Sequence, residues 1–313
     1  MYKNDQRKPP LIVILGPTAV GKTALSLSLV KKFDGEIISA DSRLFYRGMD
    51  VGTAKPSLEE RQKVPHHLID VADPDETWSL GKFKRHATQI IEDIQQRRRI
   101  PFLVGGTGQF IRAITDGWVV PELKPDKRMR GVLSRWVEEE IGPEGLYERL
   151  KVVDSDAAEN ILPGNVRRTI RAFEVIFNTG SKFSELRQRE TVPYRVLQIG
   201  LNRPRKELDL RIETRVDAMI ENGFVEEVQT LLEKGYSRNL PSMTALGYSQ
   251  LSSYLAGEIS LDAAVQEIKK VSKKFYRRQM TWFKPNDDQI HWFEMSDNTH
   301  SEIETLITQF LNG

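Results

Sequence analysis

The feature that most constrains this chain is a phosphate-binding loop placed directly after an apolar run. Residues 16–23 match the pattern G-x-x-x-x-G-K-[ST], and the apolar residues 11–15 before them predict a buried strand. Two glycines let the backbone curl so that several N–H groups point at one anion, and the next helix begins with its positive end facing that anion. The predicted phosphate- or diphosphate-binding residues are Gly16, Pro17, Thr18, Ala19, Val20, Gly21, Lys22 and Thr23.

Two residues of this loop carry most of its chemistry. Lys22 adds a point charge, and the Thr23 hydroxyl is a ligand for magnesium, so the predicted cofactor is Mg²⁺. A nucleoside triphosphate such as ATP is the commonest ligand of the pattern. The loop alone does not decide the reaction, because phosphoryl transfer, hydrolysis and displacement of diphosphate all use the same cradle.

Composition narrows the class of protein. The chain has 313 residues, 39% of them hydrophobic, which is enough for one large or two modest domains. It has no cysteine, and this excludes disulfides and thiolate zinc sites. Residues 1–8 are polar and no apolar run is long enough to cross a bilayer, so we expect a cytoplasmic protein with no signal peptide and no membrane partner.

The order of predicted elements indicates an α/β fold. Strand and helix alternate over the first hundred or so residues, which is typical of a parallel sheet flanked by helices, with ligands at the carboxyl ends of the strands. The predicted strands are 11–15, 36–40, 101–104 and 194–201. We predict a P-loop NTPase-like core, residues 1–119 and 193–313, and a mostly helical insertion domain at 120–192.

Two further motifs follow predicted strands. Asp41 ends the second strand, and its carboxylate faces the phosphate loop if that strand neighbours the first. It could bind magnesium through water, act as a general base, or cap the following turn. Residues 105–108, Gly-Gly-Thr-Gly, end the third strand. They either fit a tight turn or place the Thr107 hydroxyl within reach of both the phosphate and Asp41.

Basic residues at helical spacing supply the remaining candidates. Arg211 and Arg215 are four residues apart on a predicted helix. Either both side chains are solvated, or one of them binds the diphosphate as negative charge develops on it. The later segment 269–282 predicts a helix with two faces. Its basic face holds Lys270, Lys273, Lys274, Arg277 and Arg278, and its predicted buried face holds Ile268, Val271, Phe275, Gln279 and Trp282. Alone, this pattern is typical of an ordinary soluble amphipathic helix. Combined with Arg167, Arg168 and Arg171 on a separate segment it favours RNA or DNA over a small substrate, although the net charge is only +2.

Several stretches of this sequence resemble the bacterial tRNA dimethylallyltransferases. The phosphate loop is followed by residues 41–56, Asp-Ser-Arg-Leu-Phe-Tyr-Arg-Gly-Met-Asp-Val-Gly-Thr-Ala-Lys-Pro, which is far more specific than the loop. Further matches are 66–70, 104–108, 246–248 and 278–282. The resemblance runs in order from about residue 11 to 293, and it places the His66-His67 pair in the core rather than at a metal.

The resemblance implies transfer of a dimethylallyl group from dimethylallyl diphosphate to N6 of the adenosine at tRNA position 37, beside the anticodon. Asp41 would be the general base, with Thr107 and Arg211 or Arg215 steadying the diphosphate. A monomer acting on the tRNA anticodon stem-loop is expected. Implied tRNA contacts are Asp41, Ser42, Arg43, Leu44, Arg130, Arg167, Arg168, Arg171, Thr244, Gly247, Tyr248, Arg277, Arg278, Gln279, Trp282 and Lys284.

Other classes share parts of this pattern. A nucleotide kinase has the same loop and sheet but uses ATP, and a non-catalytic P-loop protein would bind RNA without needing Asp41. Related enzymes prenylate free adenine nucleotides. The basic helix and the insertion argue against a free nucleotide as the acceptor.

Overall fold

The computed structural model of the chain describes residues 8–120, 126–185 and 189–313. Most of the polar amino-terminal stretch and parts of the predicted insertion, at 121–125 and 186–188, lie outside the described residues. The chain divides into two compact units. We call Met1–Thr115 with Val192–Gly313 the core unit and Asp116–Thr191 the insertion unit.

The core unit contains a parallel sheet. The described residues form six strands in the order β3-β2-β4-β1-β5-β6, and every neighbouring pair is parallel. The α/β fold predicted from the sequence is therefore confirmed. The strands are β1 (Pro10–Leu15), β2 (Gly35–Ser39), β3 (His66–His67), β4 (Ile100–Gly105), β5 (Arg195–Asn202) and β6 (Ile290–Glu294).

Helices of the core unit connect and cover these strands, and further helices form the insertion unit. In chain order they are α1 (Lys22–Lys32), α2 (Leu58–Lys63), α3 (Leu80–Gln96), α4 (Gly108–Thr115), α5 (Lys127–Trp136), α6 (Gly142–Val153), α7 (Ser155–Glu159), α8 (Val166–Thr179), α9 (Arg205–Glu221), α10 (Phe224–Glu233), α11 (Tyr248–Leu255), α12 (Leu261–Met280) and α13 (Thr299–Asn312). A π-helical segment, Val137–Ile141, joins α5 to α6. No helix among the described residues is both long and apolar enough to cross a membrane.

Strand β1 lies in the interior of the sheet, between β4 and β5, and its side chains are apolar on both faces. The residues from Leu11 to Leu15 are fully buried, as expected for a strand covered by helices on each side. Leu15 pairs with Gly105 of β4 and with Gly200 of β5. The carboxyl ends of these strands therefore meet at one edge of the sheet, where the phosphate loop begins.

The position of β2 differs from the simplest expectation. Strand β2 pairs with β4 and β3, so β4 separates it from β1. The condition that the Asp41 strand neighbours the first strand is therefore not met. His66 and His67 form the short strand β3 beside β2, and both are half-buried.

The insertion unit has its own apolar core. Helices α5 to α8 and the π-helical segment pack around buried side chains, among them Leu146, Leu150, Ile170 and Phe173. The described residues of this unit are mostly helical, as predicted from the sequence. The functional role of this unit stays a prediction.

A buried carboxylate stabilises the opposite, amino-terminal edge of the sheet. Glu36 of β2 is 2% exposed and accepts hydrogen bonds from Arg97 and Arg99, and its Oε2 lies 2.7 Å from Nε2 of His67. Burial alone would raise the pKa of Glu36, but these donors outweigh it and lower the pKa to about 2.

Glu36→Gln is expected to lower the free energy of unfolding by about 2 kcal/mol at pH 7, because the amide cannot pair with two guanidinium groups. The folded-state pKa lies below the ordinary 4.5, so the charge contributes fully above pH 4.5 and is lost as pH falls towards 2. Urea unfolding followed by circular dichroism should show the difference shrinking over that range. The exposed Glu302→Gln is the control, and a difference independent of pH would contradict the prediction.

Candidate active site

The phosphate loop joins β1 to α1 in a conformation that needs glycine at two positions. Gly16 has φ +146°, and a Cβ there would lie 2.5 Å from the Leu201 carbonyl oxygen of β5. Gly21 has φ +114° and precedes the first residue of α1. The loop therefore approaches β5 closely and delivers the positive end of α1 to the sheet edge.

Lys22 is folded back over this loop. Its Nζ donates to the carbonyl oxygens of Gly16, at 3.0 Å, and Pro17, at 2.8 Å. Burial lowers the pKa of Lys22 to about 8, while the negative charge of Asp41 acts to raise it and the positive charge of Arg215 to lower it further. The ammonium is thus held by neutral oxygens, in surroundings that favour a bound anion.

Gln279 braces the loop from the far end of α12. Its Oε1 accepts from the Thr18 backbone N–H at 2.9 Å, and its Nε2 donates to the Gly106 carbonyl at 3.1 Å. The side chain is only 6% exposed. Gln279 therefore links the phosphate loop to the loop after β4, and its amide is used within the protein rather than offered to RNA.

Asp41 and Thr107 are brought together, although they end different strands. The Thr107 backbone N–H donates to the Ala40 carbonyl at 3.2 Å, and the Thr107 hydroxyl accepts from the Ser42 N–H at 3.3 Å. Asp41 Oδ1 accepts from the Arg43 N–H at 3.0 Å, which is the turn-capping interaction considered from the sequence. The cap uses Oδ1 alone, and Asp41 also lines the cavity described below.

The two arginines of α9 have different positions. Arg215 donates to the Thr18 hydroxyl at 3.2 Å, and burial lowers its pKa, with Asp41 opposing that effect. Arg211 is exposed and donates from Nε to the Ala19 carbonyl at 2.8 Å. Arg215 is therefore the inner of the two, and Arg211 lies at the rim.

Lys22, Asp41, Gln279 and the two arginines line one cavity of about 620 Å³ in the core unit. Its polar lining includes Thr18, Lys22, Thr23, Ser39, Asp41, Thr53, His66, Arg211, Thr214, Arg215 and Gln279. Its apolar lining includes Ile37, Leu44, Pro56, Ile69, Val104, Leu210 and Phe275. The phosphate loop forms one part of the cavity lining and mostly aliphatic side chains form another. This combination suits a ligand that has both an anionic group and an apolar group.

Sequence reasoning missed several lining and bracing residues. Ser39, Thr53 and Thr214 line the cavity, and Arg203 donates from Nε to the Val20 carbonyl at 3.0 Å. Thr53 falls inside the specific stretch 41–56, which was the available signal. Nothing local distinguishes Arg203 from other arginines, because its partner lies 183 positions away.

The remaining residues near Asp41 divide into accessible and buried ones. Arg43 donates to the Pro241 carbonyl at 3.0 Å, Leu44 lines the cavity, and Thr244 is exposed. Tyr248 is 0% exposed, and Gly247 is buried against the Phe224 ring. An RNA contact by the Tyr248 side chain is not compatible with this burial, so we assign Tyr248 a structural role.

Helix α12 presents basic residues, but its predicted buried face is wrong in part. Phe275 is 37% and Trp282 43% exposed. The buried side runs instead through Ile268, Ser272, Tyr276 and Gln279. Ser272 is tolerated there because its hydroxyl donates to the Ile268 carbonyl at 2.7 Å. Trp282 lies beyond the helix end at Met280 and packs against Gly108.

The basic residues of this region are not equivalent. Lys269 pairs with Asp217 at 2.6 Å, and Lys273 pairs with Glu213, both of α9. Arg277, Arg278 and Lys284 are exposed. We call these three residues the basic edge of α12.

The arginines of the insertion unit also fall into two groups. Arg167 and Arg168 are exposed at the start of α8. Arg130 and Arg171 both bind the buried carboxylate of Glu174, whose pKa falls to about 2 because the two guanidinium groups outweigh the effect of burial. Arg130 and Arg171 therefore have a structural partner already.

Fold and site together define an α/β protein in which a P-loop and a carboxylate line one cavity. The model of the IPP transferase family matches residues 44–286, about three quarters of the chain. The chain belongs to the IPP transferase family, as the resemblance in its sequence indicates.

Individual relatives agree with this assignment. The tRNA dimethylallyltransferase of Roseiflexus castenholzii is 52% identical over 88% of this chain and 90% of its own length, and that of Thermomicrobium roseum is 47% identical over 93% and 88%. Among solved structures, the full-length tRNA isopentenylpyrophosphate transferase of Bacillus halodurans is 40% identical over 97% of each chain, with a TM-score of 0.72. A eukaryotic dimethylallyltransferase acting on tRNA is 27% identical over 97% of this chain and 80% of that chain, with a TM-score of 0.83.

The lowered pKa of Lys22 predicts a pH dependence of anion binding. Below pH 8 the Lys22 ammonium is already charged. Above pH 8 the binding of an anion requires Lys22 to take up a proton, so affinity falls by up to about tenfold per pH unit. Titration calorimetry with inorganic diphosphate from pH 7 to 9.5 measures this. Lys22→Met is the control for ionisation of the ligand itself, and a wild-type to variant ratio that does not change with pH would contradict the prediction.

Proposed function

We propose that this protein transfers the dimethylallyl group of dimethylallyl diphosphate to N6 of the adenosine beside the anticodon of tRNA, in the cytoplasm and as a monomer. The observation that carries this proposal is that Asp41 and the phosphate loop line the same cavity. The names of its relatives and of the similar structures support tRNA and the prenyl donor as substrates.

The diphosphate is a leaving group in this reaction. A bond forms between N6 and the allylic carbon while the carbon–oxygen bond breaks, and the electron pair departs with the diphosphate. Lys22, Arg215 and the amino-terminal end of α1 supply the positive charge that stabilises the departing anion. We assign Arg215 the diphosphate contact, since it is the inner arginine, and Arg211 a place at the rim.

Asp41 is proposed as the general base. An exocyclic adenine amine is a poor nucleophile, so a carboxylate that accepts its proton during attack lowers the barrier. The Thr107 hydroxyl accepts from the Ser42 N–H and so holds the backbone after Asp41, and Thr107 is proposed to support the general base in this way. The aliphatic wall of Ile37, Ile69 and Val104 is suited to the dimethylallyl tail.

A magnesium ion fits this donor set. The described residues contain no cluster of three metal-binding side chains, and Mg²⁺ commonly uses one or two protein oxygens with substrate phosphates and water. The Thr23 hydroxyl lines the cavity at the start of α1 and is the proposed protein ligand. When bound, the ion would neutralise negative charge on the diphosphate.

The basic edge of α12 is proposed to bind the phosphate backbone of the anticodon stem-loop. Its three cations are exposed, unlike Lys269 and Lys273, which pair with acids of α9. Arg167 and Arg168 of the insertion unit are proposed as further phosphate contacts because they too are exposed. The adenosine must leave its stack to reach the cavity, and a loop nucleotide does so at low cost.

Asp41→Asn is expected to lower the rate of transfer by at least about a hundredfold, because the amide cannot accept the proton. Binding of tRNA should stay within about twofold of wild type. Nucleoside mass spectrometry of tRNA incubated with protein, dimethylallyl diphosphate and Mg²⁺ measures the product. The control is Asp75→Asn, an exposed carboxylate outside the cavity. Unmodified tRNA with the wild-type protein, together with ATP-dependent phosphorylation of a nucleotide, would overturn the proposed function in favour of a kinase.

Arg278→Ala is expected to weaken tRNA binding several-fold and to reduce the slope of log affinity against log salt by about 1, as for the loss of one phosphate contact. Filter binding at several salt concentrations measures both quantities. Lys234→Ala, at an exposed lysine after α10, should change neither. An unchanged salt slope for Arg278→Ala would remove this residue from the interface.

A further inference from the structure

A single carboxylate holds the turn at residues 50–53. Glu227 of α10 accepts two backbone hydrogen bonds at Oε2, from Asp50 and Val51, each at 2.7 Å. At Oε1 it accepts one from Gly52 at 3.1 Å. Three successive N–H groups thus converge on one anion that comes from a helix more than 170 positions away in sequence.

The same carboxylate is fixed from its other side. The Tyr248 hydroxyl donates to Glu227 Oε1 at 2.6 Å, and the Tyr248 ring packs edge-on against Phe224 with 5.0 Å between ring centroids. A Cβ at Gly52 would lie 2.1 Å from the Phe224 ring and 2.8 Å from that of Tyr248. The turn is therefore seated directly on the two rings and has no room to shift towards them.

The turn leads straight into the candidate active site. Thr53, the residue after Gly52, lines the cavity, and its carbonyl oxygen lies 3.5 Å from a terminal nitrogen of Arg215 that donates to it. Beyond Thr53 the chain is fixed again by Lys55, whose Nζ donates to the Tyr46 carbonyl at 2.8 Å and to Asp70 at 2.6 Å. Thr53 thus lies between two anchored points.

We propose that Glu227, together with Tyr248, is a positioning residue for the transfer reaction that sets the Thr53 carbonyl and thereby the guanidinium of Arg215. The inference rests on the proposed function, in which Arg215 contacts the leaving diphosphate. Glu227 itself touches neither substrate in this proposal. Its effect is transmitted through the backbone of the turn at residues 50–53 to the guanidinium of Arg215.

Replacement by glutamine isolates this role. The amide has the shape of the carboxylate but only one acceptor oxygen, whereas both carboxylate oxygens receive two donors each. One orientation of the amide points its NH₂ at the N–H groups of Asp50 and Val51, and the other points it at the N–H of Gly52, so the turn must move in either case. Glu226→Gln is a matched control, since Glu226 is exposed in the same first turn of α10.

Steady-state kinetics of Glu227→Gln with dimethylallyl diphosphate and tRNA tests the proposal. We expect kcat to fall on the order of tenfold and affinity for inorganic diphosphate to fall several-fold, because the arginine is displaced from the leaving group. The Kd for tRNA should change by less than about twofold, and Glu226→Gln should behave as wild type. Tyr248→Phe removes one donor only and should lower kcat by a smaller factor, about threefold, which gives a second reading if Glu227→Gln does not fold.

A double-mutant cycle separates positioning from general support of the fold. In an Arg215→Gln background, Glu227→Gln should lower kcat by less than about twofold further, because the group that it positions is already gone. Multiplicative effects of the two changes, or an active Glu227→Gln with normal diphosphate affinity, would overturn the inference. Failure of the proposed function is distinguishable, since wild type would then transfer no prenyl group, while the loss of diphosphate binding in Glu227→Gln would still be measurable.

Discussion

The buried ammonium of Lys22 is the interaction on which the rest of the site depends. The ammonium donates hydrogen bonds to two carbonyl oxygens of its own loop. Burial lowers the pKa of both Lys22 and Arg215, and the negative charge of Asp41 opposes this effect at each of them. Two desolvated cations against one carboxylate leave an excess of positive charge, which an incoming diphosphate neutralises. The loop geometry, the end of α1 and the bracing by Gln279 all maintain this arrangement.

Much of this could be predicted from the sequence because its signals are local. The apolar run before the phosphate loop predicted a buried strand, and the glycines at 16 and 21 stand where the backbone has positive φ. Alternating strand and helix then predicted the parallel sheet. The order of the strands was not predictable in the same way, because it depends on how helices pack, and β4 rather than β2 lies beside β1.

The parts that the sequence did not predict are those set by contacts distant along the chain. Arg211 and Arg215 share a helix and a residue type, and only the packing of α9 against the phosphate loop makes one inner and the other exposed. The buried side of α12 was misplaced because a serine and a tyrosine occupy it in preference to Phe275. Glu227 looks like an ordinary surface acid until the turn that it binds, 177 positions earlier, is known.

The sheet order also bears on which role suits Asp41. Strand β4, directly beside the loop strand, ends at Gly105, and Asp41 follows the strand one position further away in the sheet. Adjacent strands are about 4.8 Å apart, so the backbones of β1 and β2 are separated by about 10 Å. In an in-line displacement the base and the leaving oxygen lie on opposite sides of the carbon under attack, about 7 Å apart. A carboxylate in contact with the diphosphate would repel it, whereas one placed a strand away leaves room for the amine and the allylic carbon between them.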